Sequence, residues 1–352
     1  MQSAVGRWLE VMDRYYLCDF IGAGGSAFKL LLTQDDGQTQ EALSGLRDLA
    51  DQHGYWFFRV SASETRVDLI EQIFFQITRQ IEWHSLVSQD AANFLQRLDY
   101  VLPDGTRLSD IEAIADASGC DEHELKKRIR EKTIEEIVQD REMCKEFRTA
   151  LARSREAQFF PGGVTPSEAD TLLAWLQGRQ VNSAALRRLS IYSPIGRHNA
   201  RDMLTALARW LAKHHGKSMV LGMDLSALLA VRPRRRSTGP AYGPGEVATT
   251  TPAETTDAAP LSLDYTRAQF LDACEVLRQF IDDTDELTHC LICCVAPSEL
   301  ETGKKRKLQD EYPALHNRLV NEVRDREKTN VLAAMVRAGD VAPQAEVESD
   351  GR

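Results

Sequence analysis

Apolar residues follow two patterns along the chain, short continuous runs and longer runs with helical spacing. The continuous runs, which predict strands, cover residues 15–21, 55–60, 218–223 and 291–295. Residues 40–53 and 66–83 carry apolar side chains every three or four positions, and each segment predicts a helix. Because strands alternate with helices, the pattern predicts an α/β fold with a parallel sheet and helices on its faces.

The middle of the chain, from residue 91 to 212, has little strand signal and predicts one helix after another. Within it, the residues around Gly119 predict two helices joined by a tight turn, with Asp121 capping the second. We therefore predict a core divided into residues 1–90 and 213–341, with residues 91–212 as a helical insertion.

Two further segments have the composition of mobile chain. Residues 232–260 are rich in Pro, Thr, Gly and Ala and have almost no large apolar side chains, so they predict a mobile loop. The last residues, 342–352, are polar and acidic and predict a disordered tail.

Composition narrows the class of protein. The 352 residues are 43% hydrophobic and carry a formal net charge of -10, which argues against a protein that coats nucleic acid through general basic charge. No apolar stretch is long enough for a signal peptide or a membrane span, so the sequence predicts a cytoplasmic protein without a membrane partner. Cys290, Cys293 and Cys294 have no second ligand pair at zinc-like spacing, and we interpret them as core residues of a strand.

A glycine-rich turn separates the first predicted strand from apolar residues that could start a helix. Glycines let the backbone come close to a phosphate, and a following helix adds the positive end of its dipole. The phosphate-loop pattern is G-x-x-x-x-G-K-[ST], and this chain has G-A-G-G-S-A-F-K, with Phe28 at the lysine position. The predicted nucleotide-binding residues are Gly22, Gly24, Gly25, Ser26, Ala27 and Lys29. A plain structural turn is the alternative interpretation.

Such a site could be completed by two residues from the second half of the chain, Asp224 and Arg318. Asp224 follows the apolar run 218–223, where P-loop proteins place an acidic Mg²⁺ ligand, although Leu225 stands where many hydrolysing members have a glutamate. Arg318 is a candidate phosphate sensor on a later predicted helix. The alternatives are a loop carboxylate for Asp224 and a surface arginine for Arg318.

In this order the features resemble the P-loop ATP-binding proteins of bacterial anti-phage systems. The likeness is to the smaller ATP-binding protein of BREX (bacteriophage exclusion) loci and to related proteins of the methylation-associated defense system. The segments that carry it are FIGAGGSAFKLLL, GYWFFRVSASETRVDLIEQIFFQI, YTRAQFLDACEVLRQFIDDTDEL and YPALHNRLVNEVRD. They lie near both ends of the chain, with the helical insertion between the first and last core strands.

The resemblance implies an AAA-like or STAND-like P-loop NTPase core, a role in antiviral defence, and ATP and Mg²⁺ as ligands. It implies that other proteins of a defence complex are partners. It places the magnesium site at Asp224 and the phosphate loop at Gly22, Gly24, Gly25, Ser26 and Lys29. Because the loop and the strand end depart from the family pattern, the chain is either an ATPase with degenerate motifs or a protein that has lost hydrolysis.

Two other functions stay open. One is a non-hydrolysing adaptor that holds partner proteins, which the acidic net charge and the altered loop favour. The other is a DNA-binding regulator, because residues 115–129 resemble a helix-turn-helix with Lys126, Lys127 and Arg128 on its second helix. The basic patch at 233–236 offers a further contact for DNA. A second copy of the chain, forming a homo-oligomer, is also an open alternative.

Overall fold

A computed structural model of the chain describes residues 3–229, 264–304, 306–320 and 332–341. The described residues form one parallel sheet of the strands β1 (Ser26–Thr33), β2 (Trp56–Ser61), β3 (Met219–Asp224), β4 (Cys290–Pro297) and β5 (Met335–Arg337). The α-helices are α1 (Ala4–Met12), α2 (Asp36–Gln52), α3 (Ile70–Arg79), α4 (Trp83–Arg97), α5 (Ile111–Ser118), α6 (Glu122–Thr133), α7 (Lys145–Phe159), α8 (Pro166–Leu176), α9 (Ser183–Arg188), α10 (Ala200–His215), α11 (Arg267–Asp282), α12 (Glu299–Thr302), α13 (Leu308–Glu311) and α14 (Pro313–Leu319). Short π-helical segments cover Asp13–Leu17 and Ile134–Val138, and 3-10 turns cover Ser226–Leu229 and Ala338–Asp340.

The strands are arranged in the order β2-β3-β4-β1-β5, so β1 lies between β4 and β5. All pairs are parallel, and β1 pairs with β4 in step from Ser26 opposite Cys290 to Thr33 opposite Pro297. The carboxyl ends of the strands therefore meet at one edge of the sheet, which we call the carboxyl edge. The predicted α/β class with a parallel sheet is confirmed, and the topology is compatible with a Rossmann-type or P-loop-type core.

The first strand lies one element later in the chain than predicted. Residues 15–21, predicted as a strand, lie in the π-helical segment and the turns after it, whereas the residues predicted to start a helix form β1. The reason is that the run from Phe28 to Leu32 is buried on both faces of the sheet, and such a run carries no period to separate strand from helix. β5 was missed because it has three residues and pairs only with β1.

Helices cover both faces of the sheet. On one face, Trp8 of α1 and Leu46 of α2 pack with Leu31 of β1. On the other face, Phe74 of α3 and Phe270 of α11 share a core with the alternate residues of β1, Phe28, Leu30 and Leu32. This alternation of buried side chains along β1 explains why it is apolar at almost every position.

The helical insertion packs directly on the second face of the sheet. Phe147 of α7 and Trp210 of α10 belong to the same core as the strands, and the predicted insertion boundary at residue 91 falls inside α4. A smaller core holds α5 and α6 against α4 and α7 through Ile114, Leu125 and Phe159. The predicted loop at 232–260 and the predicted tail at 342–352 lie outside the described residues.

The predicted turn at Gly119 is confirmed. Gly119 ends α5 with a φ of 66°, a left-handed conformation that favours glycine, and Asp121 accepts the backbone N–H groups of His123 and Glu124 at the start of α6. Within the described part of the chain, none of the helices is both long and apolar enough to cross a membrane.

Candidate functional site

The glycine-rich turn precedes β1 and therefore lies at the amino end of that strand, away from the carboxyl edge. Ser26, predicted as the last residue of the turn, and Ala27, predicted as the possible start of a helix, are the first residues of β1. The backbone N–H groups of Ala23, Gly24 and Gly25 are already donated to carbonyl oxygens of the preceding turns. The structural premise of the predicted phosphate loop is wrong, because a strand rather than a helix N-terminus follows the glycines.

The glycines have a steric role instead. Gly24 has a φ of 104°, which side-chain-bearing residues rarely adopt, and a Cβ at Gly25 would lie 2.5 Å from the carbonyl oxygen of Phe20. A Cβ at Gly22 would lie 2.7 Å from the Tyr55 hydroxyl. These approaches support the alternative interpretation, a tight structural turn.

Lys29, the expected side-chain helper, is buried within β1. Its Nζ donates to the carbonyl oxygens of Leu332 at 2.6 Å and Ala333 at 3.3 Å, and it lies 4.5 Å from the centre of the Tyr16 ring. Burial lowers the pKa of Lys29 to about 8. Lys29 therefore ties β1 to the segment that leads into β5, and its ammonium group is used inside the fold.

A cavity of about 590 Å³ opens at the carboxyl edge, where β1 leads into α2. Parallel α/β folds bind ligands in this place, where connections run to opposite sides of a central strand. Here the connection from β1 runs towards β2 on one side, and the connection from β4 runs past β1 to β5 on the other side. The cavity is lined by Thr33, Gln34, Asp35, Asp36, Thr39, Leu229, Pro297, Glu299, Gly303 and Lys304.

Sequence reasoning missed this loop, although one signal was present. The residues Gly37, Gln38 and Thr39 match the last three positions of the phosphate-loop pattern, with glutamine in place of lysine. They follow a strand and lie in the first turn of α2, which is the strand–loop–helix unit that the pattern describes.

Several polar groups of this loop are hydrogen-bonded within the loop. The Asp35 carboxylate accepts the N–H of Gln38 at 2.9 Å, and the Gln38 side-chain oxygen accepts the N–H of Gln34 at 3.0 Å. The hydroxyl oxygens of Thr33 and Thr39 are 2.8 Å apart and hydrogen-bonded. The place at the helix N-terminus where a phosphate would bind therefore holds the carboxylate of Asp35.

The charge around the cavity is mainly negative. Asp35, Asp36 and Glu299 contribute carboxylates, and among the described residues that line the cavity Lys304 is the only cation. Each carboxylate opposes a nearby phosphate by about 1 kcal/mol at 4 Å in water, and by about 4 kcal/mol at an effective dielectric constant of 20. The electrostatics do not favour a free triphosphate.

Asp224 lies at the end of β3, as predicted, opposite Ser61 of β2 and Val295 of β4. Its Oδ1 accepts the backbone N–H of Ser226 at 3.0 Å, so the carboxylate caps the turn that follows the strand. Asp224 is not among the described residues that line the cavity. Its role as a magnesium ligand stays a prediction.

Arg318, the candidate phosphate sensor, lies on α14. Its Nε is 3.1 Å from Oδ1 of Asp282 at the end of α11, and 57% of its side chain is exposed. This contact is a surface ion pair between two packed helices, which agrees with the alternative interpretation of Arg318.

The helix-turn-helix-like element presents basic groups that contact acidic or aromatic neighbours. On α6, Lys126 pairs with Glu122, Lys127 lies 3.9 Å from Glu131, and Arg130 lies 4.6 Å from the centre of the Phe160 ring. These contacts within the protein compete with phosphate contacts. The basic patch at 233–236 lies outside the described residues.

The three cysteines of β4 are completely buried and free of disulfides, as their interpretation as core residues predicts. Burial raises the pKa of the Cys293 thiol to about 12, so it stays protonated and unreactive at neutral pH.

Comparison with known proteins adds no identification. No family model matches the chain, and neither a curated protein nor a solved structure is significantly similar to it.

Proposed function

We propose that this chain is a non-hydrolysing adaptor with a P-loop-type core, which works in a multi-protein anti-phage defence assembly. The observation that carries the proposal is the loop between β1 and α2. There, the Asp35 carboxylate occupies the phosphate position and Gln38 stands in the place of the lysine.

The physical reason is the loss of the groups that stabilise the transferred phosphoryl group. Catalysis of phosphoryl transfer depends on cations and backbone N–H groups around the phosphates. At this loop the N–H groups of Gln34 and Gln38 are occupied, and the surrounding carboxylates repel added negative charge. Leu225, which follows Asp224, is buried and offers no group to position water.

The role in a defence assembly rests on the ordered resemblance of the segments near both ends of the chain. An adaptor also needs surface for partner proteins. Ile134 and Val138, in the second π-helical segment, and Tyr192 are large apolar side chains that are 45% exposed or more. They lie on the helical insertion, which is the part of the molecule that we propose for contact with partner proteins.

Phosphate release in the presence of ATP and Mg²⁺ tests the absence of hydrolysis. We expect a rate equal to the protein-free background for the wild type, with and without duplex DNA. Release above background that is lost in an Asp224→Ala variant would show a working ATPase and overturn the proposal. An Asp116→Ala variant, which removes an exposed carboxylate of α5 in the helical insertion, is the matched control for handling and contamination.

A second candidate function is binding of Mg²⁺–ATP in the cavity at the carboxyl edge. The observation that favours it is the cavity itself, with Lys304 and the hydroxyl of Thr39 at its wall. Under this alternative, Lys304→Ala weakens ATP binding and Lys307→Ala, outside the cavity, does not. If both variants and the wild type bind ATP equally, the cavity is not the binding site.

A further inference from the structure

Three metal-ligating side chains converge beside α1, at the amino-end side of the sheet. Asp13, Cys18 and His53 each offer one ligand atom, and these atoms all lie within 4.8 Å of one another. The His53 Nε2 lies 2.6 Å from Oδ1 of Asp13, and the Cys18 Sγ lies 3.8 Å from the same oxygen.

The π-helical segment brings two of the ligands together. The N–H of Cys18 donates to the carbonyl oxygen of Asp13 at 3.0 Å, which is a bond across five residues. In an α-helix, residues five apart point about 140° away from each other, so Asp13 and Cys18 would face different directions. The rare π geometry puts them on one side, and such segments are frequent at functional sites.

The third ligand comes from a separate element. His53 follows the last residue of α2, and its ring lies 5.7 Å from the ring of Tyr55, centre to centre. Tyr55 in turn donates its hydroxyl to the carbonyl oxygen of Leu17 at 2.9 Å. This bond fixes the end of the π-helical segment against the start of β2, so the ligands are held before any ion arrives.

The donor set selects the class of metal. Imidazole nitrogen, cysteine sulfur and carboxylate oxygen are the three zinc ligands of proteins, whereas Mg²⁺ and Ca²⁺ need oxygen ligands. In a tetrahedral zinc site the ligand atoms lie about 3.3–3.8 Å apart. The Cys18–Asp13 distance of 3.8 Å already agrees, and the His53–Asp13 pair must open from 2.6 Å by under about 1 Å.

We propose that Asp13, Cys18 and His53 bind one Zn²⁺ ion, with water as the fourth ligand. Cys18 is exposed and the other two side chains are partly exposed, so solvent reaches the fourth position. The ion replaces the hydrogen bond between His53 and Asp13 and clamps the segment after α1 to the end of α2. The site is independent of the cavity at the carboxyl edge and of the proposed adaptor function.

Titration of the metal-free full chain with Zn²⁺, in competition with a chromophoric chelator, tests the site. We expect one tight equivalent for the wild type, weakened at least about 100-fold in Cys18→Ser and in His53→Gln. Cys120→Ser is the matched control, because Cys120 is partly exposed and belongs to no metal-ligating group among the described residues. This control should bind Zn²⁺ as the wild type does.

Cobalt substitution gives an independent readout. Co²⁺ at this site should show the visible absorption of a tetrahedral ion and a thiolate charge-transfer band, and Cys18→Ser should lose that band. Because Cys18 is at the surface, this variant is expected to fold, and far-ultraviolet circular dichroism checks it. Equal Zn²⁺ affinity of wild type and Cys18→Ser, or an equal loss in Cys120→Ser, would overturn the proposal.

Discussion

Lys29 shows how a charged side chain is accommodated in the central strand of a sheet. It is 5% exposed, and its ammonium group donates to two carbonyl oxygens. Burial disfavours the charged form, which is why the pKa of Lys29 falls to about 8. A buried lysine that has no carboxylate partner among the described residues weakens the fold while it is charged, so its effect on stability depends on pH.

The pH dependence follows from the sign of this shift. Between pH 8 and the ordinary lysine value of 10.5, the unfolded chain holds a proton at Lys29 that the folded chain has released. Unfolding free energy therefore rises with pH in this window, by on the order of 3 kcal/mol for this group. Urea unfolding of wild type and Lys29→Met at pH 7.5 and pH 10 measures it. We expect the wild type to gain stability relative to the variant, and an unchanged difference would contradict the low pKa.

Gly25 tests whether the glycine-rich turn is structural. A Cβ at this position would collide with the backbone of Phe20, whereas a Cβ at Gly162, which is not among the glycines with positive φ, meets nothing within 4 Å. We expect Gly25→Ala to lower the free energy of unfolding by about 1–3 kcal/mol, because overpacking forces the turn to shift. Gly162→Ala should change it by less than about 0.5 kcal/mol. Chemical unfolding curves of the two variants measure these changes. Equal losses in Gly25→Ala and Gly162→Ala would argue against the steric role of Gly25.

At the scale of elements, a buried ionic network joins three helices of the insertion. Arg155 of α7 donates to Asp90 of α4 at 2.8 Å and 3.1 Å, and His214 of α10 lies 3.1 Å from the other oxygen of Asp90. Burial alone would raise the pKa of Asp90, but the His214 hydrogen bond and the Arg155 charge outweigh it and hold this pKa at about 2. The network fixes the relative positions of α4, α7 and α10.

Breaking this network on one side should be costly. Asp90→Ala leaves the buried Arg155 guanidinium with Glu136, 3.3 Å from its Nη1, as its remaining carboxylate partner, and we expect a loss of about 3 kcal/mol in unfolding free energy. The double variant Asp90→Ala with Arg155→Met should lose less than the sum of its two single variants, because the buried Arg155 charge is removed together with its main partner. Because the folded pKa of Asp90 is depressed, its stabilisation is present above about pH 4 and is lost as the pH falls towards 2. Additive losses in urea unfolding would contradict the coupling.

The helix-turn-helix-like pair α5–α6 allows a direct test of DNA contact. Because Lys126 and Lys127 contact glutamates on their own helix, we expect binding to duplex DNA to be weak. Replacing Lys127 and Arg128 together with alanine should then leave the dependence of binding on salt unchanged. Fluorescence anisotropy at several salt concentrations measures this. A smaller salt slope in the double variant would support the DNA-binding alternative.

Strands β2, β3 and β4 could be predicted from the sequence because each is a buried apolar run. The place of β1 could not, because its run of apolar residues has no period and the preceding glycines resemble a phosphate loop. For the candidate site, the sequence correctly predicted that Asp224 lies at the end of a buried strand, which is β3. The loop at residues 34–39 could not be predicted as a phosphate loop, because it lacks the lysine and has only one of the two glycines of the pattern.

For the whole molecule, the sheet, its two helical faces and the insertion form a scaffold that is compatible with nucleotide binding. The cavity at the carboxyl edge lies where such folds hold their ligand, yet its wall is rich in carboxylates. The acidic loop and the apolar surface of the insertion together favour partner proteins over ATP turnover. The central claim is therefore that Asp35 and Gln38 prevent a phosphate from binding at the N-terminus of α2.

The most direct test is a thermal-shift comparison of the wild type with the double variant Asp35→Gly and Gln38→Lys, with ATP and Mg²⁺ at millimolar concentration. A ligand that binds only the folded state raises the melting temperature. We predict no shift for the wild type and a shift for the double variant, which frees the N–H of Gln38 and restores the lysine. Glu41→Gln, on the exposed side of α2, is the control. A shift in the wild type as large as in the double variant would contradict the account.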